Sequence, residues 1–174
     1  MWFCYRLSFF SKKKFINTAL LYPNLGDIMK VYIGSDHAGF RTKEKLKRYL
    51  NSKKIKFEDL GTYSGTSVDY PDYAIKVGKK VAKDKNSRGI LVCGSGTGMV
   101  IAANKIKGIR AVAAYDSYSA KISRLHNDAN VLGLRGRIFP FEKTKKITSI
   151  WLNTPFSGKE RHKRRINKIR KLEK

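Results

Sequence analysis

The chain has 174 residues, 41% of them hydrophobic, which suits one globular domain with a sizeable core and excludes a disordered polymer. Its formal net charge of +25 invites a nucleic-acid reading, but lysine well outnumbers arginine and the excess is spread along most of the chain, so no specific nucleic-acid partner is expected. No apolar run reaches the roughly 18 residues of a membrane span, and the two cysteines, Cys4 and Cys93, make no disulfide framework, which points to a reducing, cytoplasmic compartment.

Residues 1–28 read differently from the rest. Met1-Trp2-Phe3-Cys4-Tyr5-Arg6 is aromatic and apolar, and Lys12-Lys13-Lys14 follows it, whereas a secretory signal carries its charge first. A targeting segment is one reading of this leader. A misplaced translation start, with Met29 as the true first residue, is the reading preferred here. Residues 29–174 then form the folded domain.

From Met29 the pattern is regular. Residues 30–34 (Lys-Val-Tyr-Ile-Gly) form a first strand that leads into Ser35-Asp36-His37-Ala38-Gly39. Residues 41–51 carry Leu46 and Leu50 at helical spacing, and residues 55–60 alternate as a second strand. A loop over 62–67 precedes Val68-Asp69-Tyr70-Pro71. Pro71 suits the first turn of a helix that buries Ala74, Val77 and Val81. Residues 89–93 are a third strand, 99–103 a helix-favouring run, and 109–115 a fourth strand followed by a helix over 117–125. His126 to Asn130 reads as a polar turn, 131–134 as a fifth strand, and 144–151 and 159–172 as two closing helices. This alternation predicts βαβ units: an α/β fold, a three-layer α/β/α sandwich with a Rossmann-like, doubly wound, five-stranded parallel sheet.

The most informative stretch is Gly89-Ile90-Leu91-Val92-Cys93-Gly94-Ser95-Gly96-Thr97-Gly98. A buried strand runs into a glycine loop and then a helix, a geometry that aims backbone N–H groups at an anion. Gly94, Ser95, Gly96, Thr97 and Gly98 do not spell the dinucleotide fingerprint, and no Lys-Ser/Thr pair completes a phosphate-binding loop of the nucleotide hydrolases. Asp116, about 20 residues on, sits where a ribose-binding acid would, which keeps a nucleotide-binding domain as a rival; a packing loop is the plainer alternative. Cys93 lies at the carboxyl end of a strand beside backbone donors that favour thiolate over thiol, a better place for a base or nucleophile than for an inert core residue. Zinc is not expected, because no second cysteine is near and the histidines lack ligand spacing. Asp36-His37 and His126-Asn127-Asp128 read as polar clusters in carboxyl-edge loops suited to acid–base work. Arg161 and Arg165 are four apart, share a helical face, and can fork onto a phosphate.

With these residues assembled, the chain from Met29 to about Leu172 resembles the type B ribose-5-phosphate isomerase family, which also includes galactose-6-phosphate isomerase subunits. The resemblance rests on Gly34-Ser35-Asp36-His37-Ala38-Gly39-Phe40, Asp69-Tyr70-Pro71, Cys93-Gly94-Ser95-Gly96-Thr97-Gly98, Ile101-Ala102-Ala103-Asn104-Lys105, Arg124-Leu125-His126-Asn127-Asp128-Ala129-Asn130 and Arg161-His162-Lys163-Arg164-Arg165, in that order and spacing. It implies aldose–ketose isomerisation of a phosphorylated sugar in the non-oxidative pentose phosphate pathway, with no metal or organic cofactor. Cys93 would be the base that moves a proton between carbons 1 and 2. Some members instead place a glutamate where this chain has Met99, so the sequence resembles the cysteine branch. His126 would assist ring opening; Asp36, His37, Tyr70 and Asn127 would contact the sugar; Arg137, Arg161 and Arg165 would clamp the phosphate. The N–H groups of residues 94–98 would hold the enediolate. Ser95 stands where members often carry Thr, which keeps the hydroxyl. The resemblance also implies a homodimer, or a dimer of dimers, with the site at the interface. Isomerisation of allose or galactose 6-phosphate and a non-catalytic polyanion-binding protein are the alternatives.

Overall fold

The computed structural model describes residues 29–173. The leader at 1–28, with Cys4 and both readings of it, lies outside the described residues. Five strands, β1 (Val31–Ser35), β2 (Phe57–Asp59), β3 (Arg88–Cys93), β4 (Ala111–Ala113) and β5 (Val131–Arg135), form one wholly parallel sheet in the order β2-β1-β3-β5-β4. The helices are α1 (Phe40–Ser52), α2 (Tyr70–Lys83), α3 (Thr97–Ala103), α4 (Ser117–Asn127), α5 (Phe141–Asn153) and α6 (Glu160–Arg170).

The central strands are apolar throughout because both faces of the sheet are covered. Val31, Ile33, Ile90, Val92, Leu132 and Leu134 point to one side, where they meet Leu46 and Leu50 of α1, Ala120 of α4, and Ile147 and Trp151 of α5. Tyr32, Leu91, Cys93 and Val131 point to the other, against Ala74, Val77 and Val81 of α2 and Met99 and Ala103 of α3. Each fully buried aliphatic side chain here contributes about 1.5–3 kcal/mol relative to exposure. The expected three-layer α/β/α sandwich is what forms.

The strand order puts a switch point between β1 and β3. From β1 the chain winds outward to β2, then returns across β1 to β3, so the connections after β1 and β3 leave the sheet in opposite directions and open a crevice at their carboxyl ends. Two glycines let these segments touch. A Cβ on Gly39 would lie 2.0 Å from the Val92 carbonyl oxygen, and one on Gly136 would lie 2.8 Å from the Ala38 carbonyl oxygen. Backbone therefore packs on backbone around Cys93.

Several boundaries differ from the sequence expectation; the second strand, for one, is laddered over Phe57–Asp59 instead of 55–60. The fourth strand is laddered over three residues instead of seven, because it is an edge strand with β5 as its one neighbour. His126 and Asn127 belong to the last turn of α4. The helix stops one residue later at Asp128, whose φ of 47° is left-handed and whose N–H closes onto the Arg124 carbonyl, while the Ala129 N–H closes onto that of Ser123.

Candidate active site

At the carboxyl edge the residues after β1 and β3 converge. Cys93 is 5% exposed, and its Sγ accepts the Gly96 N–H at 3.1 Å. Gly96 holds a φ of 88°, which turns the chain from strand to helix and returns its N–H to the sulfur. The Thr97 N–H donates to Ser95 Oγ at 3.3 Å, so two of the N–H groups expected to hold an anion are already committed inside the loop. Those of Gly94, Ser95 and Gly98 are left as the candidate donors to a ligand. The Tyr70 ring packs on Gly98, where a Cβ would come within 2.9 Å of it.

Beside this loop the buried Asp36 accepts the Gly39 N–H through Oδ1 at 2.9 Å, and the His37 Nδ1 accepts the Val68 N–H at 3.3 Å. That second bond places the His37 proton on Nε2. Arg137 donates its backbone N–H to the Gly94 carbonyl, and its side chain lies against Gly94. Asp36, His37, Tyr70, Cys93, the glycine loop and Arg137 are therefore one cluster. Tyr115 joins it, although the sequence reading passed over it. Its hydroxyl lies 3.1 Å from both the Ser95 carbonyl and Thr97 Oγ1. The signal was its place immediately after a strand, at the carboxyl edge.

The remaining expected residues lie elsewhere. His126 and Asn127 were expected in a carboxyl-edge loop, and the structure corrects this: they sit at the amino edge. A helix that joins two parallel strands leaves the carboxyl edge of one and returns to the amino edge of the next, so the end of α4 must lie opposite Cys93. The hydrogen bonds agree, since the Arg110 Nε donates to the Asn127 carbonyl and the Gly89 N–H, at the start of β3, donates to the Asn130 carbonyl. A five-residue strand separates the two edges by roughly 16 Å at about 3.3 Å per residue. α6 crosses this same amino edge, with the Ser157 N–H on the Leu125 carbonyl at one end and Glu173 on the Gly108 N–H at the other.

Arg161 and Arg165 are exposed on α6, in a second cluster with His126, Asn127 and His162. The His126 and His162 ring centroids are 4.3 Å apart. His162 is 2% exposed; its Nε2 accepts the Arg161 Nε–H at 3.1 Å, and its Nδ1 lies 2.7 Å from Ser157 Oγ. Burial first, then the neighbouring His126, Arg161, Arg165 and Lys159, hold this imidazole below its ordinary value. The neutral ring is thus matched to both partners. The sequence reading noted His162 in the basic C-terminal run and gave it no role.

The chain therefore carries two clusters on opposite edges of the sheet: a thiol with its glycine loop, and a histidine pair with two arginines. A cavity of about 630 Å³ lies at neither centre; it is lined by residues 104–107 and 109–112 with Ser123, Asn127, Ala129, Ile169, Leu172 and Glu173, and it borders the second cluster at Asn127. Among the described residues no group of three or more His, Cys, Asp or Glu side chains is placed to hold a metal ion, and no helix is long and apolar enough to cross a membrane.

The family model for Ribose/Galactose Isomerase matches residues 31–169. The chain belongs to this family. The ribose-5-phosphate isomerase B of Escherichia coli is 42% identical over 144 residues, covering 83% of this chain and 96% of that one. A solved ribose 5-phosphate isomerase from Thermotoga maritima is 49% identical, with a TM-score of 0.79 over 82% of this chain and 97% of its own. The ribose-5-phosphate isomerase B of Mycoplasma genitalium, solved with ribulose-5-phosphate bound, is 39% identical, with a TM-score of 0.80 over 83% of this chain and 96% of that one.

Proposed function

We propose that this protein is an aldose–ketose isomerase that interconverts ribose 5-phosphate and ribulose 5-phosphate, acting as a homodimer in the non-oxidative branch of the pentose phosphate pathway. The observation that carries the proposal is the buried Cys93 sulfur at the switch-point crevice, next to a glycine loop, in a chain of the ribose/galactose isomerase family. A relative of this family binds ribulose-5-phosphate.

The chemistry follows from the geometry. Proton removal from carbon 2 of the open-chain aldose places negative charge on an enediolate; passage of the carbon-2 hydroxyl proton to the carbon-1 oxygen and return of the abstracted proton to carbon 1 then give the ketose. Cys93 Sγ is the acceptor and donor of that proton. The Gly94, Ser95 and Gly98 N–H groups are preorganised for the enediolate oxygens, and glycine lets the substrate approach the backbone. Asp36, His37 and Tyr70 line the same crevice and contact the sugar hydroxyls.

The second half-site, with His126 for ring opening, Asn127 for sugar contact, and Arg161 and Arg165 for the phosphate, reaches this crevice from the partner of the dimer. Arg137 meets the phosphate from the thiol side. The exposure of Tyr70, Ile101, Tyr115 and Tyr118 around the thiol half supports a covering partner there. The test is an isomerase assay with ribose 5-phosphate and allose 6-phosphate side by side. The pentose is expected to turn over. Cys93→Ala should abolish turnover while calorimetry still detects substrate binding. Near-normal turnover by that variant would remove Cys93 as the base.

A further inference from the structure

A second basic concavity lies apart from both half-sites. The end of α2, the start of β3, the turn before β4 and the end of α6 enclose a cavity of about 370 Å³ at the amino edge. Lys85, Arg88, Arg110 and Arg170 line it together with two acids, Asp84 and Asp128. Those acids neutralise it only in part. The two carboxylate oxygens of Asp128 are taken by Arg110 at 2.9 Å and by the buried Arg124 at 2.8 Å, so one carboxylate serves two guanidinium groups. Asp84 Oδ1 accepts the Asn86 N–H.

Arg88 is the least compensated of the four. Its Nη1 donates to the Ser87 carbonyl at 3.0 Å, and its Nε is sealed from solvent with no hydrogen-bond partner among the described residues. Arg88 is half-buried, and a partly desolvated guanidinium without a carboxylate partner is stabilised by an anion that meets it. Burial, then repulsion from Arg124, pushes the group down to about 10.

We infer that this cavity is a binding site for a small phosphate-bearing dianion, held by Arg88, Arg110, Arg170 and Lys85 and distinct from the substrate phosphate clamp. The surplus of cations over acids calls for about two negative charges, and guanidinium groups present the paired N–H donors that phosphate oxygens accept. The concave shape favours a small ligand over a polymer lying on the surface. Occupancy is also connected to the His126 half-site. Arg110 donates to the Asn127 and Asp128 carbonyls at 3.0 Å through Nε, and to Asp128 again at 2.7 Å through Nη2, so the group that would grip the anion already holds the end of α4.

The experiment is calorimetric titration of the full chain with inorganic phosphate at low ionic strength. Two classes of binding are expected, one removed by Arg165→Ala and the other surviving it. The double variant Lys85→Ala/Arg170→Ala changes two exposed side chains and should weaken the surviving class at least about tenfold, because charge-assisted contacts are lost. Its kcat/KM for ribose 5-phosphate, without added phosphate, should stay unchanged. Arg88→Gln should have the same effect on the surviving class. The inference is overturned if Arg165→Ala alone abolishes all phosphate binding, or if the double variant binds as the wild type does. Either result is independent of whether the pentose is the substrate.

Discussion

His162 shows how one side chain can be fixed by its partners. Its Nε2 is an acceptor for Arg161, so the proton sits on Nδ1 and points to Ser157, and protonation of the ring would cost the Arg161 bond as well as bury a charge. The folded ring titrates below its ordinary 6.5. An imidazole depressed in this way gives stability that is complete above the unfolded value and is lost as pH falls through it towards the folded one. Thermal unfolding followed across pH should show the melting temperature falling below about 6.5, and His162→Gln should flatten that slope. An unchanged slope in the variant would mean that other groups carry it. Cys93 was legible at this scale, because a strand-end thiol before a glycine loop announces itself. The role of Tyr115 was not, since nothing local says that its hydroxyl reaches Ser95 and Thr97.

The joint between α1 and β2 is electrostatic. Lys43 is fully buried on α1, with its Nζ 2.5 Å from Asp59 and 2.9 Å from Glu44, while Lys47 adds a 2.7 Å contact to Asp59. Burial opposes ionisation of Asp59, yet hydrogen bonds from Lys43 and Lys47 and from the Gly61 N–H hold its carboxyl below the usual range. Asp59→Asn should cost about 3–5 kcal/mol in chemical denaturation, because it strips a buried ammonium of its main partner. A loss well under 1 kcal/mol would show that Glu44 suffices. The position of Lys43 in the helical period, three residues before Leu46, places it on the buried side of α1.

For the whole molecule, the direction of the helices decides the site. Cys93 and His126 cannot meet within one chain because a sheet's length lies between them, so the proposed reaction needs two copies placed with opposite edges together. Mixing Cys93→Ala and His126→Asn chains, each inactive alone, should restore activity. In a randomly assorted dimer about a quarter of wild-type turnover returns, since half of the dimers are mixed and each of those has one intact site. No recovery after subunit exchange would place the whole site in one chain. Protein started at Met29 contains every element described and is the natural material for this test.

The sequence by itself determined the strands, the helices and the three layers, because hydrophobic period and glycine placement are local properties of the chain. Even the amino-edge position of His126 was implicit there, since a helix between parallel strands must return to the starting edge. Only the tertiary structure decided the rest. It paired β1 with β3 to make the crevice, buried Lys43 and His162, committed the Gly96 N–H to the Cys93 sulfur, and gathered Arg88, Arg110 and Arg170 around one cavity. These depend on residues far apart in the chain, and their hydrogen bonds and desolvation exist only once the layers have packed.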